Sequence, residues 1–221
     1  MSIFRLKTGF SRRYDIGMDK PIVEIISVAF ERLGELKVFV QCILNQRQDN
    51  WKLRVIHDGP NAEFCSIMQG YAQQKPGQIF YEETTARYND WGHSLREIGL
   101  ARATGDYVLI TNADNYYIPR FIEYVTEAIE QTKADLIGWD MVHSHESPGS
   151  TCAPSYSYFK TEWKRFGIDM GAAVVRRTLA QQAGFPDKGH DGDATYFIKV
   201  SEIKGPATLC CRIPRVMLVH N

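Results

Sequence analysis

The chain has 221 residues, 44% hydrophobic and 24% charged, with 26 lysines and arginines balanced by 26 aspartates and glutamates. That is enough apolar material for the core of one α/β domain, and the neutral balance argues against a nucleic-acid partner, which would favour a basic excess or stripe. Met1 to Lys7 lacks the apolar core of a signal peptide, and no stretch reaches the roughly 18 apolar residues of a membrane span; five cysteines without ligand spacing fit reduced thiols in a cytoplasmic protein.

Residues 1–20 are polar and without periodicity, an N-terminal arm, and one domain is expected over residues 21–221. Residues 22–29 form an apolar, β-branched run suited to a strand buried on both faces. A helical stripe follows at Leu36, Phe39, Val40, Ile43 and Leu44. Residues 52–57 read as a second strand, stopped by the turn Asp58-Gly59-Pro60-Asn61. Residues 62–74 read as a helix and 78–81 as a short strand; 91–103 read as a helix closed by Gly105. A strand at 107–111, a helix at 119–133 opened by Pro119 and a strand at 134–139 continue the series. Such alternation implies a mostly parallel sheet covered on both faces.

After Asp140 the pattern breaks. Residues 143–161 read as a long loop or irregular hairpin, of the kind often used functionally. Regular structure resumes at 170–177, with helices from Thr178 and over 193–204 and strands at 207–213 and 215–219. Ligands of open α/β sheets sit outside the carboxyl ends of strands. That rule selects the residues after Ala29, His57, Thr111 and Trp139.

Several of these stretches resemble known sequence blocks. Leu44-Asn45-Gln46, then an aromatic, then Val55-Ile56-His57-Asp58-Gly59 is one. Arg96-x-x-Gly99-Leu100 running into Ala103-Thr104-Gly105-Asp106-Tyr107 and a short acidic motif is the second. Gly184-Phe185-Pro186-Asp187 onward to Lys199 is the third. Together they resemble the large inverting glycosyltransferase family 2. The resemblance implies an α/β fold of the GT-A (Rossmann-like) type, a three-layer sandwich with a mostly parallel central sheet. It divides the domain into a nucleotide-binding half, 21–140, and an acceptor-binding and catalytic half, 141–221.

The same resemblance implies an enzyme that moves a sugar from a nucleoside-diphosphate sugar, a UDP-sugar in the first instance, to a saccharide or glycoconjugate hydroxyl. Ala29, Glu31, Asp58, Arg96, Asn112, Ala113 and Asp114 would face the donor. Mn²⁺ or Mg²⁺ would sit at Asp114 with a late histidine, His220, since hard cations suit carboxylate and phosphate oxygens. The acidic motif reads Asn112-Ala113-Asp114 here, so its first position brings no charge, and an Asn/Asp turn is the plain alternative. Asp193 would be the base, with Asp191 the close alternative; either could instead only cap a helix, worth about 1 kcal/mol. Asp140 at a strand end and the aromatics Tyr156, Tyr158, Phe159 and Trp163 are sugar contacts or packing. His143 to Glu146 matches no zinc spacing. Any membrane contact is expected at the surface or through a partner enzyme. Two rival readings stand: a retaining transferase or nucleotidyltransferase on the same sheet, and a catalytically silent nucleotide- or glycan-binding module.

Overall fold

The computed structural model describes residues 20–144 and 155–221. The arm at residues 1–19 and the loop at 145–154 lie outside the described residues.

Four parallel strands build the first half: β1 (Val23–Ala29), β2 (Trp51–His57), β3 (Ile79–Glu83) and β4 (Tyr107–Asn112). They alternate with α1 (Leu33–Leu44), α2 (Ala62–Gln74) and α3 (His93–Arg102). The strands read as continuous apolar runs because helices cover both faces. Ile25 and Leu109 join the core that holds Leu36 and Phe39 of α1 and Phe64 of α2. Their neighbours Ile26, Val108 and Ile110 turn to the opposite core, with Leu100 of α3. Gly99 of α3 lets that helix approach closely, since a Cβ there would stand 2.4 Å from Ile26 Cγ2.

Beyond β4 come β5 (Tyr116–Tyr117), α4 (Phe121–Thr132), β6 (Leu136–Ser144), β7 (Tyr156–Phe159), β8 (Ala173–Arg176), α5 (Arg177–Ala183), α6 (Gly192–Lys204) and β9 (Cys210–His220). The sheet order is β3-β2-β1-β4-β8-β6-β9-β5, with β7 pairing β6. Strand β8 is antiparallel to both β4 and β6, and β6 and β9 run parallel. So β1, β2, β3, β4, β6 and β9 all point one way, giving the mostly parallel α/β sandwich. Helices α1, α2 and α4 contribute to one core; α3, α5 and α6 contribute to the other. Among the described residues no helix is long and apolar enough to cross a membrane.

Some boundaries differ from expectation for local reasons. The two strands expected at the C-terminal side are one, β9; its register against β6 slips at Trp139/Asp140 and Asp140/Met141, close to Pro214, which has no N–H for the ladder. The irregular stretch after Asp140 is in part a hairpin, β6 with β7. The Ala103-Thr104-Gly105-Asp106 stretch has a structural reason: buried Glu24 accepts from the Thr104 and Gly105 amides at 2.7 and 2.9 Å, and Asp106 accepts from that of Ile22 at 2.8 Å. A Cβ on Gly105 would lie 2.9 Å from the Glu24 Cβ.

Candidate active site

The chain runs outward from β1 to β2 and β3, then returns to β1's other side as β4. Such a reversal leaves a crevice at the carboxyl ends of the strands. A cleft of about 470 Å³ lies there. Ala29, Phe30, Glu31 and Arg32 line it after β1, Asp58 after β2, and Asn112, Ala113 and Asp114 after β4. Arg87, Asn89, Trp91 and Gly92 close another side. Glu31, Arg32, Asn89 and Trp91 all hold positive φ, between 42° and 61°. Non-glycine residues rarely adopt this conformation, and it concentrates at functional sites.

Asp58 anchors the 87–92 segment: Oδ1 accepts from the Tyr88 amide at 2.8 Å and Oδ2 from that of Asn89 at 3.2 Å. Arg87 stands 3.7 Å from the same carboxylate and lies over the Phe30 ring at 3.5 Å. His57 is buried behind the cleft, donating from Nδ1 to the Gly59 carbonyl at 2.8 Å and packing on Phe64.

Arg96 is the centre of a second cluster. It is 4% exposed. Nη1 donates to the Trp91 carbonyl and to His93 Nδ1, each at 3.0 Å, and Nη2 to Asn112 Oδ1 at 2.9 Å. Accepting from Arg96, His93 must carry its proton on Nε2, which donates to Gly189 O at 3.0 Å. Burial, then the Arg96 charge, holds the His93 pKa below its ordinary value, in keeping with a neutral ring. Asp193 completes the cluster, Oδ1 lying 3.5 Å from Arg96 Nη1 and 4.0 Å from His93 Nδ1. The side chain is 39% exposed, yet Oδ1 turns inward and has no hydrogen-bond partner. Burial pushes this carboxyl above the usual range, with Arg96 pulling the other way.

The third cluster joins β4 to β9. Asp114 gives Oδ2 to Arg32, while its Oδ1 is buried without a hydrogen-bond partner. Burial raises the Asp114 pKa against the pull of Arg32 and His220. His220 Nε2 lies 3.4 Å from Asp169 Oδ2, and its ring stacks on His143 at 4.4 Å. Its Nδ1 is buried and has no hydrogen-bond partner. Asp169 is held in turn by the Gly171 amide at 2.8 Å. A carboxylate oxygen and an imidazole nitrogen left bare at one sheet end suit a divalent cation whose remaining ligands are phosphate and water oxygens. Among the described residues no group of three or more His, Cys, Asp or Glu could hold a metal.

The family model described as glycosyl transferase family 2 matches residues 24–179, from β1 through β8 into α5. The chain belongs to glycosyl transferase family 2. The chain is 21% identical over 109 residues to an uncharacterized glycosyltransferase of Rickettsia bellii (strain RML369-C), a match covering 49% of this chain and 15% of that protein. In fold it is similar to residues 1–349 of S. aureus TarS, with a TM-score of 0.72 at 13% identity over 90% of this chain and 60% of the other. It is also similar to mannosyltransferase PcManGT of Pyrobaculum calidifontis in complex with GDP-Man and Mn²⁺, with a TM-score of 0.65 at 17% identity over 94% of this chain and 60% of the other. The chain therefore spans 15% of the Rickettsia relative's length and 60% of each of these two solved chains.

In this chain the expected donor residues Ala29, Glu31, Asp58, Asn112, Ala113 and Asp114 line one cleft, and Arg96 reaches it through Asn112. Asp193 meets Arg96, whereas Asp191 is directed to a surface pair with Arg165. Neither acid caps α6: Asp191, at the N-cap position, makes no side-chain cap bond. Asp140 is committed to structure, gripped by Arg212, Tyr158 and the Thr161 amide. Trp163 packs against Gly138, and Phe159 against the core. Of the His143–Glu146 group, positions 145 and 146 lie outside the described residues. Four site residues lacked a role in the sequence reading: Arg32, Trp91, His93 and Asp169. A polar residue ending a strand was a usable signal for Arg32; a lone Asp in Gly167-Ile168-Asp169-Met170 offered none.

Proposed function

We propose that this transferase moves a glycosyl unit from a nucleoside-diphosphate sugar, with UDP as the nucleotide, to a hydroxyl of a saccharide or glycoconjugate, with inversion at the anomeric carbon. The observation that carries the reading is Asp193 Oδ1, a carboxylate oxygen without a hydrogen-bond partner, beside an Arg96 whose other arm ends on Asn112 in the cleft. The nucleotide end would lie against Phe30, Asp58 and Arg87, and the diphosphate toward Arg32 and Asp114.

In the reaction the acceptor oxygen forms a bond to the anomeric carbon as the bond to the diphosphate oxygen breaks, its electron pair leaving with the nucleotide. The hydroxyl proton passes to Asp193, whose raised pKa suits a general base. One displacement inverts. A retaining double displacement would use a second carboxylate as nucleophile; Asp191 and Asp58 are tied to Arg165 and to backbone amides, and the anomeric configuration of the product tests whether Asp114 or Glu31, which line the cleft, serves instead. Arg96 holds Asp193 and Asn112 in place, and Arg32 supplies positive charge beside Asp114.

Asp114 and His220 would hold Mn²⁺ or Mg²⁺, which when bound neutralises charge on the leaving diphosphate. The similar fold of TarS, crystallised with UDP and with UDP-GlcNAc, supports the choice of UDP; PcManGT, with GDP-Man and Mn²⁺, makes GDP the control nucleotide.

The test is a thermal-shift panel of UDP and GDP with and without Mn²⁺. At about 100 times its dissociation constant a ligand adds roughly 2.7 kcal/mol. A Mn²⁺-dependent shift with UDP is expected; a shift with GDP alone reassigns the nucleotide. A flat panel would sink the donor site and leave a catalytically silent module.

A further inference from the structure

Three tryptophans of the described residues serve the interior: Trp51 and Trp139 are 1% and 0% exposed, and Trp163 packs against Gly138. Trp91 is different. It is 67% exposed, and its φ of 61° is one a bulky residue rarely adopts. This costly arrangement is held in place from below. Arg96 Nη1 donates to the Trp91 carbonyl at 3.0 Å, and Gly92, with φ 81°, turns the chain into α3.

The indole stands on a boundary. Trp91 lines the donor cleft, and its ring meets that of His190 edge-on at 5.3 Å and 89°. His190 is 81% exposed at the side chain, its Nδ1 3.5 Å from Asp191 Oδ1, and it stands three residues before Asp193. A hydroxyl that gives its proton to Asp193 and attacks a carbon held in the cleft belongs to a molecule lying across this boundary. The most exposed apolar surface of the cleft is aromatic, Trp91 and the part-exposed Phe30, set among polar groups. That suits a ring with an apolar face and a polar edge rather than an acyl chain, which needs a continuous groove.

We propose that Trp91, backed by His190, is the acceptor platform, stacking one face of a pyranose ring so that a ring hydroxyl meets Asp193. The acceptor class is thus a saccharide. The inference rests on the donor site and base proposed above.

The experiment is saturation-transfer NMR on the full chain with UDP present, using the methyl β-glycosides of glucose, galactose and N-acetylglucosamine as probes. UDP affinity is measured by calorimetry on the same samples. The wild type is expected to transfer saturation to the C–H protons of one pyranose face. Trp91→Ala is expected to weaken that glycoside about tenfold, the scale of one lost aromatic contact, and Trp91→Phe to restore most of it. Trp91→Phe keeps a ring at the site and guards against a folding artefact. The platform is overturned if UDP binds but no glycoside is contacted, or if Trp91→Ala binds the glycoside as the wild type does. It is equally overturned if Trp91→Ala weakens a UDP-sugar but not the glycoside, which would place the indole against the donor sugar. Failure of UDP to bind the wild type would instead sink the donor reading itself.

Discussion

Arg96 Nη1 and Asp193 Oδ1 stand 3.5 Å apart, an arginine whose two terminal nitrogens are held by neighbours facing a carboxylate oxygen without a hydrogen-bond partner. Three acceptors fix the guanidinium: a carbonyl, an imidazole nitrogen and an amide oxygen. The arginine cannot follow the carboxylate, so Asp193 keeps an oxygen for another donor. Buried polar atoms without partners are uncommon because each costs stability. An unpartnered oxygen at this place is what the proposed general base requires.

Asp193→Asn is therefore expected to lower turnover by about 10²–10⁴-fold while UDP affinity stays near wild type, as turnover assays and calorimetry would read. Stability should move the other way. Burial raises the Asp193 pKa in the folded chain, so the wild type binds this proton more tightly folded than unfolded. Its contribution is complete below the unfolded value, about 3.9, and is lost as pH rises through the folded one. Urea unfolding should show Asp193→Asn gaining on the wild type across that window. A variant less stable at neutral pH than at acid pH, relative to wild type, would refute the sign.

Arg96→Met removes the positive neighbour that pulls the Asp193 pKa down. The acid limb of residual activity should move to higher pH, read from kcat against pH. Losing the buried guanidinium and its bonds is expected to cost roughly 2–4 kcal/mol, measured by denaturant unfolding.

Asp169 orients His220 rather than touching the donor. Asp169→Leu is expected to weaken Mn²⁺ binding to the UDP complex by about 10–100-fold, followed by Mn²⁺ EPR. Asp169→Asn keeps an acceptor oxygen opposite Nε2 and should lose less. Equal losses in the two variants would point to charge, not orientation.

Gly92 and Gly77 make a matched pair. Both have positive φ, 81° and 77°, but a Cβ on Gly92 meets Val28 Cγ2 at 2.9 Å while one on Gly77 meets nothing within 4 Å. Gly92→Ala is expected to cost about 1–3 kcal/mol or more, and Gly77→Ala only the backbone part, about 1 kcal/mol. Urea midpoints compare them. Equal losses would mean that Val28 gives way freely.

The parallel half was legible because its strands carry their own signals: an apolar, β-branched run at Val23–Ala29, and a run at Trp51–His57 stopped by the Asp58-Gly59 turn. β5 was not, since Tyr116–Tyr117 is too short to show a period and exists only by pairing with Val219 and Leu218. The acids at strand ends were legible from topology alone. What they do was less so. Asp58 spends both oxygens on the Tyr88 and Asn89 amides, and Arg32 finds Asp114 across 82 residues. Pairings of that separation leave no local pattern, so His93 and Asp169 had no signal that composition or spacing could carry, and Arg32 had only its place after a strand.

The sheet order also sets a timetable. Everything that pairs β1 to β4 lies between Val23 and Asn112, so the nucleotide side of the cleft can assemble as soon as that stretch leaves the ribosome. β6 pairs β7 over Met141–Ser144, but its Leu136–Gly138 stretch must wait for β8 and its other edge for β9, and β5 waits for β9 alone. Bare central strands are the aggregation-exposed stage of such folds. A growing chain would complete the β1–β4 sheet well before Asp193 and His220 emerge, so the half-made sheet passes its most vulnerable interval before the second half can cover it.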